Sequence, residues 1–288
     1  MSRLYLSAPL PFVGQKRMFA RHFIEVIRRY PSDTVFVDLF GGSGLLSHIA
    51  KHVCPQCRVV YNDFDGYRRR IDNIPRTNAL LDRIRPIAAQ FPRHKPILGA
   101  PREQIFSLLE QEERENGFLD FITLSSSLMF SMKYKLSVPD MRREVLYNNV
   151  RKSPYDSCPG YLDGLEVVSC DYRELFDRFR DDSKTVFIVD PPYLSTNVGT
   201  YRMYWRLADY LDVLSVLPGH RFIYFTSQKS CLEELCEWMG RNPSLGNPFD
   251  GCRRREFDAT MNFNARYTDI MLYTPPPEPV SPLSSLSS

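Results

Sequence analysis

No apolar run in this 288-residue chain approaches the ~20 residues needed to cross a bilayer, and its first residues carry no signal-peptide pattern. A soluble, intracellular protein is therefore expected. Charge of one sign is missing as well, since 37 basic and 34 acidic side chains leave a net charge of only +3. Overall charge does not announce a nucleic-acid partner, although its distribution can. The seven cysteines are odd in number and irregular in spacing, which argues against a disulfide framework and for a reducing compartment. Cys54-Pro55-Gln56-Cys57 has no second pair to complete a four-ligand zinc site, so two ordinary thiols beside a turn are expected. What is present, 43% hydrophobic and 25% charged residues, is ordinary for a globular chain. The length suits one large domain, or one domain with an insertion.

The most informative stretch is Val186-Phe187-Ile188-Val189-Asp190-Pro191-Pro192-Tyr193. A β-branched apolar run stops at an acid, two prolines and an aromatic. Each proline lacks an N–H and fixes φ, so the strand must end there. Asp190 and Tyr193 are then left at the carboxyl end of a strand, where open α/β sheets place their ligands. A rigid strand stop with no chemistry is the alternative.

Upstream, Thr34 to Leu39 reads as a short strand containing Asp38. Phe40-Gly41-Gly42-Ser43-Gly44 follows, then a helix from Leu45 to His52. Strand, glycine turn and helix make a nucleotide-binding junction. The Gly-Gly-x-Gly spacing departs from the dinucleotide pattern and weighs against NAD. A second strand, Arg58 to Tyr61, leads to Asp63, placed either to accept hydrogen bonds from a ribose or to cap a helix. A third, Gly164 to Ser169, ends at Asp171, with Glu174 at capping-box spacing. Phe12-Val13-Gly14-Gln15-Lys16 reads as a turn before a helix whose apolar residues Met18, Phe19, Phe23, Val26 and Ile27 recur at helical spacing.

Between the second and third strands the composition shifts. Residues 67–95 contain eight basic side chains (Arg68, Arg69, Arg70, Arg76, Arg83, Arg85, Arg93 and Lys95) against Asp72 and Asp82. Arg142, Arg143, Arg151 and Lys152 form a second basic cluster among Tyr147, Asn148 and Asn149. Such runs are either a solvated face or, beside a nucleotide-modifying site, a surface that tracks phosphates. Glu103 to Glu115 is an amphipathic helix with Ile105, Leu108 and Leu109 inward, and the apolar 120–135 segment is expected to pack it onto the main domain. Residues 67–160 thus read as a mostly helical insertion within a domain formed by 1–66 and 161–274. Beyond Asp190, a Tyr-rich loop precedes a helix, a fifth strand from Arg221 to Phe225 and a helix from Leu232 to Met239. A final antiparallel pair, Arg253–Phe257 and Thr268–Tyr273, is joined by an Asn262-to-Arg266 loop. The Pro/Ser-rich tail, residues 275–288, lacks the apolar content to fold.

Asp-Pro-Pro-Tyr, the Asp-Leu-Phe-Gly-Gly-Ser-Gly turn and the Phe-x-Gly-x-Lys opening resemble, in this order, the motifs of the Dam-like adenine-N6 DNA methyltransferases. The resemblance covers residues 8–66 and 165–273. It implies an α/β fold, a Rossmann-like class I methyltransferase sheet with an inserted, mainly helical target-recognition module. It implies S-adenosylmethionine as cofactor, held by Phe12 and Lys16 (the lysine on the methionine carboxylate), by Asp38, Phe40, Gly41, Gly42, Ser43 and Gly44, by Asp63 on the ribose and by Asp171 on the adenine. Asp190, Pro191, Pro192 and Tyr193 would be catalytic. Asp190 and the Pro191 carbonyl would pull on the amine of a flipped adenine, with Tyr193 stacked on the base. No metal is required. The implied activity is site-specific methylation of N6 of adenine in DNA, in a bacterial cytoplasm or from a phage in its host, as in restriction–modification. N4-cytosine methylation, an RNA substrate, or a non-catalytic DNA-binding protein that kept the fold are the alternatives. The oligomeric state is not legible.

Overall fold

Val35-Phe36-Val37 and Val186-Phe187-Ile188-Val189 are apolar at every position and form strands with both faces buried, as a parallel sheet covered by helices demands. In the computed structural model, which describes residues 3–130, 133–192, 206–230, 232–242, 246–262 and 265–277, they form β1 (Val35–Asp38) and β6 (Thr185–Val189). The remaining strands are β2 (Arg58–Asn62), β3 (Pro96–Ile97), β4 (Leu146–Tyr147), β5 (Glu166–Val168), β7 (Arg221–Ser227), β8 (Arg253–Asn262) and β9 (Ala265–Tyr273). The main sheet has seven strands in the order β5-β2-β1-β6-β7-β9-β8. Only β9 runs against the others. Three parallel pairings place the carboxyl ends of β5, β2, β1 and β6 side by side, with Asp38 opposite Ile188.

Helices cover both faces. On one, α1 (Ala20–Ile27) and α2 (Leu45–Val53) bury Phe23, Ile27 and Ile49 against Phe36, Ile188 and Phe225. On the other, α8 (Tyr172–Phe179), α9 (Leu207–Val216) and α10 (Leu232–Gly240) bury Leu175, Val213 and Leu232 with Val37, Phe187 and Tyr224. Successive strand residues thus serve opposite cores, the period-2 consequence of the pleat. This is the doubly wound, Rossmann-like α/β arrangement expected. Among the described residues no helix is long and apolar enough to cross a membrane.

Between β2 and β5 lie α3 (Tyr67–Asp72), α4 (Ile74–Ala88), α5 (Gly99–Asn116), α6 (Phe121–Leu128) and α7 (Val138–Arg142), with β3 and β4 paired as a separate ribbon. They share a core of their own, including Leu80, Ile84, Ile105, Phe106, Leu124 and Met141. The 120–135 segment therefore does not pack α5 onto the main sheet. Its α6 closes the insertion's own core, and Phe106 rather than Leu108 is fully buried on α5. A smaller cluster of Leu10, Tyr67, Ile74, Cys158 and Tyr161 joins the insertion to the N-terminal loop.

Three further expectations are revised. Cys54 and Cys57 are a disulfide rather than two free thiols. The turn between α2 and β2, closed by Cys57 N–H donating to Cys54 O at 3.1 Å, brings their Cα atoms within 5.4 Å, a local crosslink that the whole-chain parity of cysteines does not address. Met18 is exposed, because the first helical turn is 3-10 (Arg17–Phe19) and α1 starts only at Ala20. The final hairpin extends until Asn262 pairs with Ala265, leaving only 263–264 of the expected loop, which lie outside the described residues. So do Tyr193, the Tyr-rich loop through Trp205, and 278–288 of the tail.

Candidate active site

At the end of β6, Asp190 turns its side chain onto Lys16, with Nζ 2.7 Å from Oδ2. The same ammonium donates to Gly14 O at 2.7 Å, so the loop before α1 is folded around its own lysine. Lys16 is buried and Asp190 nearly so. The second oxygen, Asp190 Oδ1, is buried and has no hydrogen-bond partner among the described residues. Burial raises the Asp190 carboxyl to about 6 against the lowering influence of Lys16, and Asp269 on β9 adds a further rise. Asp38, fully buried at the adjacent strand end, accepts a hydrogen bond from Ser47 Oγ at 2.6 Å. Burial chiefly, and Asp190 in addition, lift it to about 7, while Ser47, the Phe40 amide and Lys16 act the other way. Asp38 Oδ1 is also buried, without a hydrogen-bond partner among the described residues. Three carboxylates thus share one region with the Lys16 ammonium. Such a site favours positive charge over negative.

The glycine turn lies beside them. Gly42 and Gly44 are left-handed, at φ 49° and 71°, conformations a Cβ would strain. Gly41 is needed for another reason: a Cβ there would lie 2.3 Å from the Tyr61 ring and 2.8 Å from Asn62 O. The close approach expected of a ligand is made at this glycine by Tyr61. Its hydroxyl stands 2.9 Å from Gly42 O and 3.0 Å from Asp63 Oδ1, sharing its proton between them. A Cβ on Gly42 would lie 3.0 Å from the Phe12 ring, which packs edge-on to Tyr67. Phe40 lies against Tyr172, ring centroids 4.9 Å apart. Ser43 is buried in the turn, and its carbonyl accepts from Tyr161 Oη at 3.0 Å.

Asp63 and Asp171 both cap helices. Asp63 accepts from Tyr67 N at 2.6 Å and Arg68 N at 3.0 Å, at the head of α3. Asp171 accepts from Arg173 N at 2.8 Å and is gripped by both Arg173 Nε and Nη2 at 3.0 Å, which holds its carboxyl below the ordinary range. Glu174 does not complete a box with it and pairs instead with Arg178, one turn on. Pro191 is buried and Pro192 partly so, and Tyr193 lies outside the described residues.

Sequence reasoning missed Asn62. Its Nδ2 donates to Leu39 O and Cys170 O, each at 3.0 Å, and its Oδ1 accepts from Cys170 N at 3.1 Å. One buried amide therefore binds the carboxyl ends of β1, β2 and β5 together. Only its place before Asp63 hinted at it. Asp269 carried no signal, because β9 brings it to the site from the far end of the chain.

Much of the insertion's basic run is spent internally. Arg70 is buried on Asp120 at 2.9 Å and donates to Pro11 O at 2.7 Å. Arg142 pairs with Glu103 and Glu110, and Arg83 bonds Gln111. Asn148 is buried with its amide on Phe91 O. A continuous phosphate-tracking stripe does not survive this accounting, although Arg68, Arg76 and Lys95 remain exposed. Two cavities, of about 350 and about 250 Å³, lie over the insertion and between it and the N-terminal loop. Asp190 lines neither.

Comparison with known proteins bears on these findings. The family model for D12 class N6 adenine-specific DNA methyltransferases matches residues 12–213. A Haemophilus influenzae (strain ATCC 51907 / DSM 11121 / KW20 / Rd) protein that carries a provisional methyltransferase name is 33% identical over 279 residues, spanning 94% of this chain and 93% of its own. The crystal structure of precorrin-6y C5,15-methyltransferase from Geobacter metallireducens GS-15 overlaps 94% of this chain and 100% of its own at 9% identity. Its TM-score of 0.38 is too low to bear on the argument. The match across glycine turn, insertion and the Asp190 strand places the chain in the D12 class N6 adenine-specific DNA methyltransferase family, S-adenosylmethionine-dependent enzymes that methylate adenine in DNA.

Proposed function

We propose that the enzyme methylates N6 of one adenine within a defined DNA sequence, flipping the base out of the duplex and presenting its amine to Asp190. The observation that carries this reading is the buried Lys16–Asp190 pair with its unpartnered Oδ1. The lone pair of an exocyclic amine is delocalised into the ring, so the nitrogen must be drawn towards tetrahedral geometry before it can attack. Asp190 Oδ1 accepts one N–H and the Pro191 carbonyl accepts the other. As the nitrogen gains positive charge, the fixed carboxylate stabilises it, an electrostatic effect aimed at the transition state. Asp190 is also placed to take the departing proton. Tyr193 stacks on the base. The amine is inaccessible inside a duplex, and flipping costs a few kcal/mol of unstacking. The setting is a bacterial cytoplasm.

The donor set suits S-adenosylmethionine, which supplies a methyl group on a positively charged sulfur when bound. The cluster of Asp38, Asp190 and Asp269 favours that charge, and Asp38 Oδ1 is a buried acceptor for the ammonium of the methionine part. Phe12, Phe40, Gly41, Gly42, Ser43 and Gly44 shape the adjoining turn. Lys16 has a double task in this reading: it meets the methionine carboxylate and keeps Asp190 ionised. Asp63 on the ribose and Asp171 on the adenine would add those roles to the capping bonds they already make.

Expression in a host free of DNA methylation, followed by sequencing of modified bases, tests the assignment. N6-methyladenine at one recurrent motif is expected with the wild type and none with Asp190→Ala, while calorimetry still detects cofactor binding by the variant. Unmodified genomic DNA from the wild type, or an active Asp190→Ala, would refute it.

A further inference from the structure

The larger cavity, about 350 Å³, lies in the insertion where the end of α6 meets the β3–β4 ribbon, and the methyl-transfer chemistry makes no use of it. Arg93, His94, Phe130, Lys133, Tyr147 and Asn149 are among its walls, and among the described residues no acid lines it. Phe130 is 62% exposed, the most of any large apolar side chain among the described residues. Its ring stands edge-to-face with Tyr147, centroids 5.8 Å apart. An aromatic pair left open beside cations is costly in water and suits a planar, anion-bearing ligand.

His94 adds a directed polar group. It is one of two non-glycine residues with positive φ among the described residues, at 60°. The ribbon enforces this conformation, because His94 N–H donates to Asn148 O and Asn148 N–H to Lys95 O, each at 3.0 Å. Strained residues kept in place by their surroundings mark functional positions. The imidazole Nδ1 lies 2.8 Å from Asn149 Oδ1, and Asn149 Nδ2 donates to Met129 O at 2.8 Å. The amide orientation puts the proton on Nδ1 and leaves Nε2 as an acceptor. Arg93 is anchored on Val150 O, and Lys133 sits 3.0 Å from Glu144 at the rim.

We propose that this cavity is a nucleotide subsite, taking one base of the substrate DNA other than the methylated adenine. The base stacks on Phe130 and Tyr147 and donates to His94 Nε2, and the adjoining phosphate lies on Arg93 and Lys133. The proposal rests on DNA as substrate and adds where, outside the target base, the chain reads it.

The test uses the full chain and a duplex carrying the methylated motif once that has been mapped. Phe130→Ala should weaken duplex binding, read by fluorescence anisotropy, about tenfold and raise KM for DNA, with cofactor affinity unchanged. Phe130→Leu, which keeps apolar volume without a ring, should lose about as much. Lys133→Ala should lower the slope of log K against log salt by about one. An abasic nucleotide moved through the flanking positions should abolish the Phe130→Ala penalty at one position only. Wild-type binding by Phe130→Ala and Phe130→Leu, or a penalty that persists at every abasic position, would overturn the subsite and leave the enzyme's assignment intact. A wild-type chain that neither binds nor methylates DNA would overturn both.

Discussion

Lys16 and Asp190 are separated by most of the catalytic domain in sequence and by 2.7 Å in space. Because burial lifts Asp190 to about 6 and Lys16 opposes the rise, the amine-accepting carboxylate forms as pH increases through that value. The acid limb of kcat/KM is expected near pH 6. Lys16→Gln removes the opposing charge and should move that limb upward as well as weaken cofactor binding. A variant that loses cofactor affinity with an unmoved limb would confine Lys16 to the cofactor. Asp38 gives a separate prediction about stability. Its folded value near 7 exceeds the unfolded 3.8, so the native state retains a proton that the unfolded chain has released. That contribution is complete below about pH 4 and is lost as pH rises through about 7. Urea melts of Asp38→Asn from pH 4 to 7.5 should show a shallower fall in stability than the wild type.

At the scale of elements, the carboxyl edge of the sheet is held by side chains rather than by ladder bonds alone. Asn62→Ala strands two carbonyls and one N–H at the ends of β1 and β5, and should cost roughly 3 kcal/mol in urea unfolding. Asp63→Ala removes the cap of α3 and should cost about 1 kcal/mol even without cofactor; a role confined to ribose binding would leave the melt unchanged. The elements themselves were legible. The glycine turn after β1 and the proline stop after β6 are local signals, written in residues whose backbone preferences admit few alternatives. Apolar runs likewise announced β1, β2, β6 and β7. The contacts that organise the site were not legible, because each joins distant segments: Lys16 to Asp190, Asn62 to Cys170, and Asp269 through β9. Asp171 illustrates the boundary. Its cap was readable from position, but its partner was not, since Arg173 took the place expected of Glu174.

Over the whole molecule, formal charge proved a poor guide to surface. Arg70 counted towards a basic run, yet it is buried, paired with Asp120 and stacked over Tyr67. Arg70→Ala leaves the fully buried Asp120 carboxylate without its cation and should cost about 3–5 kcal/mol, measurable as a lowered unfolding midpoint. The same replacement at exposed Arg76 should change stability by less than about 0.5 kcal/mol. Arg70 also reaches further than one ion pair. With Asp120 and Thr123 at the head of α6 on one side and Pro11 O on the other, its guanidinium is a rivet between the helical insertion and the loop that delivers Lys16. A tilt of those helices would bear on that loop through this one planar group as well as through the Leu10–Tyr67 contacts beside it, so the insertion's posture and the seating of Lys16 are coupled.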